Sequence, residues 1–153
     1  MRVVYRILAY LIAVEVALQA AVMVWAIAGL YIWVDEGGVL DKAVMDSDDA
    51  PFDEVVGFMI HGINGMMVVP AIALLLLIAS FFAKVKGGVR FAIIVLVLVA
   101  LQIFFGLWGH EAAIFGLLHG LNAFAIYGAA FMAGFRAAKH VPSPEPLAPN
   151  ASQ

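Results

Sequence analysis

Two histidines stand in the same repeated phrase, and they are the side chains of this chain best suited to hold a metal. His61-Gly62-Ile63-Asn64-Gly65-Met66 returns as His119-Gly120-Leu121-Asn122-Ala123-Phe124. A second phrase returns as well: Leu18-Gln19, followed by Trp25, matches Leu101-Gln102, followed by Trp108. Imidazole is a strong ligand for iron. Two imidazoles facing each other across a haem need nitrogens about 4 Å apart, since each metal–nitrogen bond is about 2 Å. Asn64 and Asn122 lie three residues after the histidines and share their helix face. Gly65 and Ala123 lie four residues after them and are small enough to leave room for a flat ring against the backbone. The chemistry expected is bis-histidine ligation of a b-type haem by His61 and His119. Gln19, Gln102, Asn64, Asn122, Gly65 and Ala123 would surround it.

Other chemistries fit less well. The chain has no cysteine, which excludes disulfides, thiolate metal sites, iron–sulfur clusters and covalent c-type haem attachment. A zinc site needs a third and fourth ligand, and the apolar segments offer none at the depth of the histidines. Asp46, Asp48 and Asp49 lack the glycine and glutamate spacing of a calcium loop, so the acidic stretch around them reads as a solvated connection. His110 and Glu111 fall in a tight turn, either simply solvated or lining the mouth of the site. His140 reads as inert. Glu15 lies within an apolar stretch, one turn from Gln19 and on the same face. An acid inside a membrane is costly, so it is expected to bond Gln19 or Ser80, or to relay protons. Its counterpart in the repeat is Leu98.

The elements that position these residues follow from composition. Hydrophobic residues make up 65% of the chain and charged residues 12%, against roughly half and a quarter in soluble domains. The mean hydropathy is +1.06. Four apolar stretches, about 5–34, 55–83, 91–108 and 113–135, match the roughly 20 residues a bilayer-spanning helix needs. The chain is expected to be one transmembrane domain over 1–140, with a disordered, proline-containing cytoplasmic tail over 141–153. The first stretch is too long for a signal peptide and contains Glu15. Pro70 is expected to kink the second helix, which neighbouring helices tolerate in a bundle.

Charge sets the expected orientation. Seven of the eight basic residues, from Arg2 and Arg6 to Arg136 and Lys139, fall on one side if four helices alternate. Eight of the eleven acids lie between Asp35 and Glu54, on the other side. Both termini are therefore expected in the cytoplasm and the acidic loop outside.

The glutamines are 83 residues apart and the histidines 58. The difference is the extra length of the acidic loop, so helices one and two correspond to three and four. The fold class expected is an all-α, four-transmembrane-helix bundle built from a duplicated two-helix unit. Its pseudo-twofold axis would run along the membrane normal. At 1.5 Å per residue, Gln19 and Gln102 each lie roughly 9 Å below their tryptophans, and the histidines fall at a similar depth. Gly62 and Gly120 are expected to allow close helix approach, with Gly116 and Gly120 forming a small-xxx-small pair.

These residues resemble one half of the haem A synthase family. The phrase Leu101-Gln102-Ile103-Phe104-Phe105-Gly106, a short turn and Leu118-His119 is similar to that family's third-to-fourth helix segment, and the resemblance covers about residues 5–136. It implies four helices per half, with histidines on the second and fourth holding a haem near the outer face. His61 and His119 occupy those positions. The family's catalytic half carries an acid three residues before the first histidine. Phe58 stands there, so the resemblance is to the half that holds a cofactor. The family's arginine after the histidine is replaced by Gly62 and Gly120. The chain is also similar to small four-helix membrane proteins of actinobacterial type, which implies a bacterial cytoplasmic membrane.

The function expected is electron transfer or haem handling, with the lipid bilayer, a membrane redox partner or a second copy of the chain as partners, and no nucleic acid. One alternative is a haem-free binding or assembly protein holding a quinone, a lipid or a partner helix. The other is a small proton-coupled transporter using Glu15 and the histidines.

Overall fold

In the computed structural model, the residues described are 1–47 and 49–139. Asp48, His140 and the tail expected over 141–153 lie outside them. Four helices carry the fold: α1 (Arg2–Asp35), α2 (Asp53–Ser80), α3 (Gly88–Trp108) and α4 (Ala113–Lys139). Each is long and apolar enough to cross a membrane, as a multi-pass membrane protein requires. Among the described residues there is no strand. One short turn of helix, Lys42–Met45, interrupts the acidic connection; Asp41 caps it by accepting from the Val44 N–H at 2.9 Å.

The helices run slightly differently from the apolar stretches. α1 starts at Arg2 and α4 continues to Lys139, because polar side chains at a helix end can reach water without ending the helix. There Arg136 and Lys139 lie over the rings of Phe91 and Phe135 at 4.9 and 4.4 Å. α2 stops at Ser80 rather than Ala83. Ser80 Oγ donates to the Leu77 carbonyl at 2.6 Å, and the chain then turns through positive φ at Lys84 and Gly87.

Each helix packs on two neighbours. α1 lies against α2 and α4, and α3 lies against the same two, which puts α2 and α4 on one diagonal of the bundle. The end that carries Arg2, Lys84 and Lys139 is closed. Its core is mostly small: Ala9, Ala73, Ala92, Ala130, Ala133 and Ala137 are all buried. Small side chains let helices approach closely where lipid offers no hydrophobic drive between them. Tyr5 is fully buried there, and its hydroxyl donates to the Gly88 carbonyl at 3.0 Å, tying the start of α1 to the start of α3.

Pro70 acts through a local change of helix type. The turn before it, Asn64–Val68, is a π turn in which the Val69 N–H donates to the Asn64 carbonyl. Proline lacks an N–H and crowds the carbonyl four residues back, and the wider turn absorbs that conflict. The α helix resumes at Val69 and runs to Ser80. At the matching place in α4 stands Gly128, and α4 stays α-helical throughout.

Candidate functional site

Toward the acidic end the bundle opens around a cavity of about 840 Å³. That volume lies within the roughly 300–1,000 Å³ of sites for cofactors and small molecules. All four helices contribute to its wall. His61, His119, Gln19, Gln102, Gly65 and Ala123 all line it, and so does His110 from the α3–α4 turn. Most of the remaining wall is apolar, with Phe58, Met66, Phe105 and Ile126 among its side chains.

The two imidazoles meet across the diagonal. Their ring centres are 6.0 Å apart and their planes 55° from parallel. Each is held by the backbone of the helix beside it. His61 Nδ1 lies 3.3 Å from the Gln19 carbonyl, and His119 Nδ1 lies 3.0 Å from the Gln102 carbonyl. A carbonyl can only accept, so Nδ1 is the donor in each ring, and in the neutral form of the ring Nε2 keeps its lone pair. A carbonyl holding the second nitrogen is the usual orienting contact of a metal-ligating histidine. Gln19 and Gln102 thus serve the histidines through their backbones, whereas the sequence draws attention to their side chains.

The fit to haem can be tested on these distances. Two metal–nitrogen bonds of about 2 Å, plus about 1 Å from each nitrogen to its ring centre, put two coaxial axial imidazoles about 6 Å apart, centre to centre. The ring centres lie at that separation, 6.0 Å, with their planes 55° from parallel. The glycines correct an expectation. Gly62, Gly116 and Gly120 do not bring helices together: a Cβ at any of them would meet nothing within 4 Å. They line the cavity instead and widen it. Close approach occurs at Gly57, where a Cβ would sit 2.9 Å from Ala26 Cβ and 3.0 Å from the Val22 carbonyl. Among the described residues no three of His, Cys, Asp and Glu come together as a metal-binding group.

Asn64 and Asn122 work behind the wall, and here the two helix pairs differ. Asn122 is 9% exposed and donates to the Leu98 carbonyl at 2.8 Å and to Gln102 Oε1 at 2.7 Å. Asn64 donates instead to Glu15 Oε2, at 2.7 Å. Glu15 therefore bonds neither Gln19 nor Ser80, the partners expected for it. Ser80 is turned to its own helix, and Gln19 is left with both amide atoms buried and unpartnered. Glu111 is exposed in the turn.

Gly106 is a site residue that pattern reading missed. A Cβ there would lie 3.1 Å from His119 Nδ1 and 3.2 Å from its Cε1. Its one signal was its place four residues after Gln102, on the face that receives the ring.

No protein-family model, curated protein or solved structure matches the chain.

Proposed function

We propose that this chain is a haem-binding protein of a bacterial cytoplasmic membrane, with His61 and His119 as axial ligands of one non-covalently held haem b. The observation that carries this reading is the close pair of imidazoles on diagonal helices, with ring centres 6.0 Å apart, each anchored through Nδ1 to the backbone of a neighbouring helix. A haem with both axial positions taken supplies one-electron transfer, since no position stays open for oxygen. The apolar wall would exclude water from the ring, and the glycines of α2 and α4 would let the macrocycle lie against backbone. With the basic end in the cytoplasm, the acidic loop and the cavity belong to the outer side. One haem near one face does not span about 30 Å of hydrocarbon, so a membrane redox partner is part of the proposal. The resemblance to the cofactor-holding half of haem A synthases points the same way, and the two helix pairs are read as copies of one unit.

The transporter alternative is less well supported. On the basic side of Glu15 the core consists of residues such as Ile12, Ala73, Leu76 and Val95 as far as Ser80, with no polar relay among the described residues.

The test is the visible spectrum of detergent-purified protein, oxidised and dithionite-reduced, with haem quantified as the pyridine haemochrome. The expected result is a sharp reduced α-band and about one haem per chain. His61→Ala and His119→Ala should each abolish the six-coordinate low-spin spectrum. A colourless protein that takes up no added haemin, or variants that keep the parent Soret band, would refute the proposal.

A further inference from the structure

The bundle is not packed alike on all its sides. α4 is α-helical throughout and lies against both α1 and α3. α2 does the same only along Val69–Ser80, which packs on α1 and on α3. Toward the acidic end its segment Val56–Ile63 packs on α1 and has no such packing on α3. Two features account for the change. Gly57 seats this segment directly on α1, with a Cβ position only 2.9 Å from Ala26 Cβ. The π turn Asn64–Val68, just before Pro70, lies between the two segments, and π turns and prolines are where helices bend. α2 therefore follows α3 along one half of its length and parts from it at the turn.

The cavity lies behind the gap that this leaves. Met66 of α2 and Leu107 of α3 both line it, yet 54% and 56% of their surfaces stay exposed. Gly62 is in the same wall, is exposed, and would carry a Cβ that meets nothing within 4 Å. With Phe58 and Ile103 these residues form an edge without a charge or a hydrogen-bonding side chain, inside helices that are apolar enough to cross a membrane. An ion or a sugar would have to leave water and cross hydrocarbon to reach this opening. A molecule dissolved in the bilayer is already beside it.

We infer that the cavity takes its ligand sideways from the bilayer, through the gap between the acidic-end half of α2 and α3, and that the ligand is accordingly a largely apolar, lipid-dissolved molecule. The π turn and Pro70 hold the gap open, and Gly57 keeps the departing segment on α1. The inference goes beyond the haem reading and does not depend on it. If the ligand is haem, the ring arrives between the helices and not through the acidic connection.

The test uses the full chain, which has no cysteine, so that Ala123→Cys places a single nitroxide label in the cavity wall of α4. The haem-free protein is reconstituted in phosphatidylcholine vesicles. Power-saturation electron paramagnetic resonance reads the label's collisions with oxygen, which concentrates in lipid, and with a nickel chelate, which stays in water. The label at residue 123 should meet oxygen readily and the chelate rarely, as should a Phe124→Cys label on the exposed face of α4. Gly62→Leu fills the space at the α2 edge, and Pro70→Ala removes the conflict behind the π turn. Each should lower the oxygen rate at residue 123 several-fold and leave the rate at residue 124 unchanged. A label at 123 that meets the chelate as readily as oxygen would overturn the inference, because the cavity would then open to water. A label that meets neither, or an oxygen rate that both variants leave unmoved, would also overturn it. Haemin is then supplied in the vesicle lipid. A protein whose label reports the open gap but which takes up no haemin would overturn the haem reading and leave this inference standing.

Discussion

Replacing Gly106 by alanine should weaken haem binding about 10- to 100-fold while leaving the apoprotein folded. The added methyl would stand 3.1 Å from His119 Nδ1 and 3.2 Å from Cε1. Unstrained contacts of this kind lie at about 3.5–4.0 Å, so the ring must retreat by roughly 0.4 Å or more. It cannot do so freely. Nδ1 is bonded at 3.0 Å to the Gln102 carbonyl, one turn before Gly106 on the same helix. Moving away from α3 stretches that bond toward about 3.4 Å, beyond the usual 2.7–3.2 Å range. Loss of the contact that orients a ligating histidine typically costs 10–100-fold in affinity, or about 1.4–2.7 kcal/mol. Alanine also raises helix propensity by up to about 1 kcal/mol, which works against unfolding as the cause of any loss. The assay is haemin titration of the apoprotein followed at the Soret band, with a thermal melt of the apoprotein in parallel. Gly128→Ala is the control, since a Cβ there meets nothing within 4 Å and the residue is not among those lining the cavity. A Gly106→Ala protein with a melt like the parent's and a Kd within about twofold of it would refute the idea that the position of the His119 ring governs binding.

Two further outcomes follow from the geometry. Asn122→Ala removes a side chain that satisfies both the Leu98 carbonyl and Gln102 Oε1, and should lower stability by about 1–3 kcal/mol, read from denaturant unfolding in detergent; an unchanged midpoint would mean that water replaces the asparagine at no cost. The absence of cysteine allows a direct test of orientation: in intact cells a membrane-impermeant maleimide should label Ser47→Cys in the acidic connection, and Lys86→Cys only after permeabilisation. The reverse pattern would put the cavity on the cytoplasmic side.

The histidine pair was legible in the sequence because polar residues are conspicuous in an apolar chain and these recur at matched spacing. The same signal marked Gln19 and Gln102, yet their use of backbone carbonyls was not legible. That depends on the rotation of each helix about its axis, which side-chain identity does not report. The glycines misled for a related reason. A glycine permits close approach wherever it faces a helix, but Gly62, Gly116 and Gly120 face a cavity, and facing is a tertiary property. The partner of Glu15 was mistaken because helix spacing places Gln19 on its own face, whereas the nearer donor, Asn64, comes from another helix. The four helices themselves followed from hydropathy to within a few residues. Their ends were decided by side-chain bonds and positive-φ turns that hydropathy does not register.

The differences between the two helix pairs do not fall evenly. Glu15 in place of Leu98, the π turn at Asn64–Val68, Pro70 in place of Gly128 and the unpartnered Gln19 amide all belong to the first helix pair. The second pair keeps regular α helices and a satisfied Asn122–Gln102 bond. What the two pairs share is the histidine, its carbonyl anchor and the glycine after it. The division is therefore physical: the repeated features hold the two imidazoles, and those confined to the first pair surround His61 and its anchor. A wider π turn and a half-buried acid both carry a stability cost, and both lie within a few residues of His61 or of the Gln19 carbonyl that anchors it. Their placement beside His61, with none beside His119, gives the two histidines unlike surroundings although their carbonyl anchors match.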